Sequence, residues 1–141
     1  MDAPLKLAGL RDFLEGVWPA VIASADARGE PNVTYLSKVF YVDEDHVALS
    51  NQFFSKTVEN LRVNPRAQIT LMDPGTLRHV RLDVEYESSL DTGELFERAR
   101  AEIEAVASLM HAENVFKLRG LDVYRFLSAY VVPSDLDQAD G

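Results

Sequence analysis

Apolar positions recur along this chain with two periods. Leu7, Leu10, Phe13, Leu14 and Val17 are spaced by three and four, which predicts a short amphipathic helix over Leu5 to Gly16, with Gly16 as terminator. Val17 to Ala25 is a compact apolar run, and the turn formers of Asp26 to Pro31 join it to a second strand, Asn32 to Val42, as a hairpin. Strict alternation places Asn32, Thr34, Leu36, Lys38 and Phe40 on one face of that strand and Val33, Tyr35, Ser37, Val39 and Tyr41 on the other. Asp43-Glu44-Asp45 turns the chain into a third strand, His46 to Ser50. A short helix opens near Ser55, a good cap, and ends by Asn64, because Pro65 disfavours helical geometry in the residue before it. Arg66 to Met72 is a fourth strand, and Asp73-Pro74-Gly75 punctuates before a fifth, Leu77 to about Tyr86. Asp91-Thr92-Gly93-Glu94 has the form of a capping box, followed by the stripe Leu95, Ala99, Ile103, Val106 and Met110 of the longest helix. Leu121 to Val132 is a sixth strand, stopped by Pro133.

Hairpins dominate and strands do not alternate regularly with helices. The fold expected is mainly β, of the α+β class: a small six-stranded antiparallel barrel with peripheral helices, one domain over residues 1–133. The tail 134–141 carries three Asp and no basic residue and is expected to be a disordered, solvated terminus. A parallel nucleotide-binding sheet is disfavoured, and neither Gly-x-Gly-x-x-Gly nor Gly-x-x-x-x-Gly-Lys occurs.

Composition removes several kinds of chemistry. With no Cys, the chain has no disulfide, thiolate nucleophile, Cys-bound zinc or iron–sulfur cluster, so redox work requires a borrowed cofactor. A formal charge of -9 opposes nucleic acid and anionic membrane surfaces as partners. No apolar run approaches the length of a membrane span and the first residues do not read as a secretion signal, so a cytoplasmic location is expected.

Chemistry-bearing residues concentrate at the start of the short helix. Free amides of Lys56, Thr57 and Val58, beside the Ser55 and Thr57 hydroxyls and the Lys56 ammonium, suit a phosphate; the same residues also read as a Ser cap beside a solvated Lys. Lys38, among largely uncharged strand residues, needs solvent or an anionic partner. His46, His79 and His111 are too scattered for a metal pair, and no nucleophile elbow occurs. Trp18, Tyr35, Phe40, Tyr41, Phe53 and Phe54 read either as core or as the lining of a planar-ligand pocket.

The strings Pro31-Asn32-Val33-Thr34-Tyr35-Leu36-Ser37-Lys38, His46 to Ser50, Phe54-Ser55-Lys56-Thr57 and Asn60-Leu61 through Asn64-Pro65-Arg66-Ala67 resemble the pyridoxamine-5′-phosphate oxidase-like family. The resemblance spans roughly residues 10 to 90. It implies an FMN-binding split β-barrel, normally a homodimer with the flavin in clefts between subunits. It further implies that Lys56 pairs with the flavin phosphate, with Ser55 and Thr57 as donors, although Thr57 replaces a second basic residue. Lys38 resembles the family's strand-two cation, Ser50 and Asn51 the polar pair at the end of strand three, and His79 stands where oxidases present a Gln to the flavin. The C-terminal Arg-x-His substrate segment of the true oxidase is replaced by Phe126-Leu127-Ser128-Ala129-Tyr130. The function expected is therefore FMN-dependent oxidoreduction of another small molecule, with a non-catalytic flavin- or haem-binding module as the alternative.

Overall fold

The computed structural model describes residues 6–15, 20–36, 38–50, 55–73, 75–109, 118 and 120–132. Leu7–Leu10 forms a 3-10 turn that runs directly into helix α1, Arg11–Glu15. Strands β1 (Ala20–Ala25) and β2 (Pro31–Leu36) form the first hairpin, and β3 (Val39–Asp43) and β4 (His46–Ser50) the second. Helix α2 is Ser55–Val63, followed by β5 (Arg66–Met72) and β6 (His79–Leu90). Helix α3 (Glu94–Leu109) and β7 (Leu121–Val132) complete the described chain.

All pairings are antiparallel, in one seven-stranded sheet ordered β2-β1-β5-β6-β7-β4-β3. This corrects the expected six-stranded split barrel in two ways. The run Asn32 to Val42 is two strands rather than one, and the sheet is not closed, because β2 and β3 are its two edges with no ladder between them. No Gly or Pro interrupts that run, so the division into a strand ending at Leu36 and one beginning at Val39 carries no turn signal. The break also resets the alternation: Val39 and Phe40 are both buried, on opposite faces and in different cores.

The larger core fills the inner face of the sheet. Ile22, Ile69, Leu71, Leu82 and Val84 pack there against Leu7, Leu10 and Leu14 at the chain start and Leu61 of α2. A second cluster lies on the other face of the β3–β4–β7 end, where Phe40, Ala48, Leu121 and Val123 meet Phe96, Ala99 and Ile103 of α3. Val47, Ala48 and Leu49 are consecutively buried because β4 is covered on both sides. The outer face of β2, β1, β5 and β6 bears neither cluster, and Val33 and Tyr35 are 60% and 77% exposed there.

Turn chemistry sets the strand boundaries. Asp26 Oδ1 accepts the amides of Arg28 and Glu30 at 2.8 and 2.9 Å, and Gly29, at φ 82, occupies left-handed backbone that a Cβ would strain. Strand β6 begins at His79, two residues later than expected, because Leu77 sits at φ 63 and its amide donates back to the Asp73 carbonyl at 2.8 Å. Helix α3 likewise starts after the expected capping box: Gly93, at φ 104, precedes it, and the Gly93 carbonyl accepts the Glu97 amide at 3.0 Å.

Candidate functional site

Helix α2 begins at Ser55, where its start is expected, with Ser55 as its first residue. Lys56 is exposed, its ammonium 3.9 Å from Glu59, and no acidic side chain stands in the first turn. Lys56 also acts on Asp26, whose carboxyl lies below its ordinary range, chiefly through the Glu30 and Arg28 amides and secondarily through this ammonium. Thr57 turns the other way. Its buried hydroxyl accepts Asn32 Nδ2 at 3.3 Å and lies 3.4 Å from the Thr34 hydroxyl, so it fastens α2 to β2. Asn60, one turn on, donates to Ser24 of β1 at 3.1 Å, both residues being buried.

Lys38 belongs to a different place. Its side chain is only 15% exposed, and Nζ lies 2.9 Å from Glu102 Oε2 of α3 and 5.5 Å from the centre of the Phe40 ring. Arg98, one turn before Glu102, donates to the Tyr41 carbonyl at 3.2 Å, and Arg11 of α1 lies over the Tyr41 ring at 4.7 Å. These residues line a cavity of about 360 Å³ along the free edge of β3. Arg11, Arg98 and Glu102 escaped the sequence reading; the i,i+4 pair on α3 was the available signal, and it reads equally as a solvated helix face.

The remaining expected site residues are dispersed. Ser50 ends β4, buried, with a hydroxyl that has no hydrogen-bond partner among the described residues. His79 opens β6 opposite Met72 and Val132 in the ladder, half-buried, on the face opposite Val80. Asn51 lies outside the described residues, as do Trp18, Phe53, Phe54, His111 and the acidic tail. Ser55 is placed by its backbone alone. Of the expected aromatics, Phe40 is core, Tyr41 is half-buried and Tyr35 faces outward. The structure thus sends Lys38 to α3 while Lys56 and Thr57 stay with α2.

His46 is fully engaged. Its Nδ1 lies 2.8 Å from Asp43 Oδ1 and its Nε2 3.0 Å from Glu87 Oε2, and the Asp43 contact first, then Glu87, raises its pKa despite partial burial. Among the described residues there is no group of His, Asp and Glu arranged to hold a metal ion, and no helix long and apolar enough to cross a membrane.

An anionic cofactor fits part of this arrangement. The buried Ser50 hydroxyl at the end of β4, without a partner among the described residues, suits a polar group, and α2, which starts five residues later, has first-turn amides with no intrahelical acceptor beside a solvent-facing ammonium. The Thr57 hydroxyl is already committed to β2.

One open antiparallel sheet with two cores, packed by helices, defines the class as an α+β domain. The chain belongs to the pyridoxamine 5'-phosphate oxidase family, whose model matches residues 8–126. Among solved structures it resembles HupZ of Group A Streptococcus, at 16% identity and a TM-score of 0.71, covering 92% of this chain and 96% of that one. An FMN-binding protein from Syntrophomonas wolfei subsp. wolfei is similar at 18% identity and a TM-score of 0.71, covering 89% of each chain. HutZ, the haem storage protein from Vibrio cholerae, is similar at 19% identity and a TM-score of 0.57, covering 89% of this chain and 93% of that one. At these identities the likeness is one of fold. No curated protein matches the chain.

Proposed function

We propose that this protein is an FMN-dependent oxidoreductase acting on a small molecule other than pyridoxamine phosphate. The observation that carries the reading is Lys56, exposed in the first turn of α2 with no acidic neighbour in that turn, in a chain matched by the oxidase family over residues 8–126. FMN, when bound, supplies hydride or electron transfer. The chain's part is to hold the phosphate with Lys56 and the α2 amides and to give Ser50 to a polar atom of the cofactor. Association as a homodimer through the uncovered sheet face would place His79 at the boundary between subunits. The similarity to an FMN-binding protein supports this reading. The visible spectrum of the purified protein tests it: twin flavin bands that bleach anaerobically with a nicotinamide donor are expected, and a blank trace after incubation with FMN overturns it.

A second reading, a non-catalytic haem- or flavin-holding module, is favoured by the similarity to a haem storage protein. His46 has both ring nitrogens against carboxylates, so among the described residues this reading runs through His79. A Soret band that shifts in His79→Ala would establish it in place of the first.

A further inference from the structure

Among the described residues Asp122 of β7 is the one charged side chain that is buried, at 2% exposure. It stands opposite Leu49 of β4 and two residues before Tyr124, which places it on the inner face of the sheet. The register of β6 against β7 sets its neighbours: Tyr86 pairs with Tyr124, and Ser89 with Asp122. Asp122 accepts the Ser89 hydroxyl at 2.7 Å. A serine hydroxyl has a single proton, so in the contact between Ser89 and Tyr86 the phenol is the donor. The chain from Tyr86 through Ser89 therefore ends on the carboxylate and leaves oxygen lone pairs on both hydroxyls. These three residues line a cavity of about 130 Å³ together with Val58, Leu61 and Arg62 of α2. Arg62 is exposed and forms no ion pair among the described residues, so two opposite charges line one space without meeting. A second polar group stands close by. The Tyr124 ring lies edge-on to Tyr86 at 5.7 Å, and its buried hydroxyl has no hydrogen-bond partner among the described residues.

We propose that this cavity binds a small zwitterionic amino acid, with its ammonium on Asp122 beside the Ser89 and Tyr86 oxygens and its carboxylate on Arg62. The three donors of an ammonium meet three acceptors, and a guanidinium takes a carboxylate through two parallel donors. Val58 and Leu61 supply the wall for the aliphatic carbon between the two charged ends. The volume is that of about four waters, which admits an amino acid with little or no side chain and excludes larger ones. Arg62 belongs to the last turn of α2, so the site is separate from the start of that helix and does not depend on whether FMN binds there.

The test titrates the full chain calorimetrically at neutral pH and low ionic strength with glycine and 3-aminopropanoate, and in parallel with ethylammonium and propanoate, which carry one charged end each. Saturable binding of at least one zwitterion is expected, at least about tenfold tighter than either singly charged probe, because only the zwitterion engages both ends. Arg62→Gln, an exposed change, should weaken the zwitterion by about tenfold and leave ethylammonium unaffected. Asp122→Asn should abolish binding of the zwitterion and of ethylammonium, and thermal melts establish that each variant is folded. Should Asp122→Asn fail to fold, the Arg62→Gln comparison decides alone. The proposal is overturned if neither amino acid binds, or if ethylammonium binds as tightly as both. It is equally overturned if Arg62→Gln leaves zwitterion affinity unchanged, which would reduce Arg62 to a cation complementing the end of α2. Competitive displacement of the amino acid by FMN would also overturn it, since the cavity would then belong to the flavin.

Discussion

Glu87 reaches His46 across 41 positions of sequence because of a bulge. In the β6–β7 ladder Tyr86 pairs with Tyr124 and Ser88 with Val123, leaving Glu87 the extra residue, re-aimed at His46 Nε2, 3.0 Å away. A second irregularity, between Tyr41 and Asp43 of β3, sets Asp43 opposite His46, so two bulges bring carboxylates to both ring nitrogens. Both contacts are donations only when the ring is an imidazolium.

That geometry has a pH signature. His46 is raised, so its contribution is complete below the ordinary His value and disappears as pH rises through the raised one. For Asp43, burial pushes the pKa up, but the His46 and Asp45 hydrogen bonds outweigh it and the net direction is down. Its contribution is therefore present above the ordinary carboxylate value and disappears as pH falls through the lowered one. The cluster stabilises most between about pH 4 and 6.5. Urea midpoints measured across pH should decline above that window in wild type and flatten in His46→Gln. The difference should be no more than about 1 kcal/mol, because the carboxylates are solvent-exposed.

The flavin reading makes Lys56 the residue to reverse. Its side chain is 57% exposed and makes only a loose ion pair, so Lys56→Glu should leave the melting temperature nearly unchanged. FMN affinity should fall by about 1–3 kcal/mol, the scale of a charge-assisted phosphate contact. Fluorescence quenching of FMN on titration measures this, and undiminished affinity removes Lys56 from the site.

Thr57 and Asn60 should behave differently, because they hold α2 rather than a ligand. Asn60→Ala leaves the buried Ser24 hydroxyl without its donor and should cost about 1–3 kcal/mol. Ser24→Ala leaves the Asn60 amide in the same position, and a double-mutant cycle should return a favourable coupling. Additive losses would show that the pair does not interact in solution.

Much of this was legible in the sequence. The Ser55 helix start, the Pro65 boundary and the hydrophobic runs of β1, β4, β5 and β7 follow local rules that tertiary packing did not override. The division of Asn32 to Val42 was not legible, because both halves have β propensity and the break is marked only by Ser37-Lys38. The same break explains the site. Continuous alternation put Lys38 on the face of Asn32 and Thr34, whereas the structure sends it to Glu102, a partner 64 positions away that only the placement of α3 supplies. Thr57 was legible as a polar first-turn residue, but not that its hydroxyl points into the sheet, because Asn32 and Thr34 are long-range partners.

The uncovered sheet face offers a prediction about assembly. Tyr35, Val21, Thr70, Arg81 and Tyr130 fall in one cross-strand row on it, with Tyr35 at the exposed end. If the homodimer forms through this face, Tyr35→Glu buries a charge at the interface and should weaken association by at least about tenfold, since a desolvated, unpaired charge opposes it. Sedimentation should find wild type as a dimer and the variant as a monomer at equal concentration. A dimer unchanged by the substitution places the interface elsewhere.

Tyr124 gives a prediction of opposite sign. It is wholly buried in the main core, its ring edge-on to Tyr86 at 5.7 Å, and its hydroxyl has no hydrogen-bond partner among the described residues. Burial first, then the nearby Asp122, raises its pKa, so the phenol remains neutral and carries its proton unshared. A buried, unpaired hydroxyl costs its desolvation without return, whereas the ring itself packs well. Tyr124→Phe keeps the ring and removes the orphaned group, and should be neutral or stabilising by up to about 1 kcal/mol. Tyr124→Leu discards the edge-on contact and shape, and should cost about 1–3 kcal/mol. Paired denaturant melts distinguish the two effects. A clear loss in Tyr124→Phe would mean that the hydroxyl has a partner in solution, an ordered water or a bound ligand, and that the core is polar at that point.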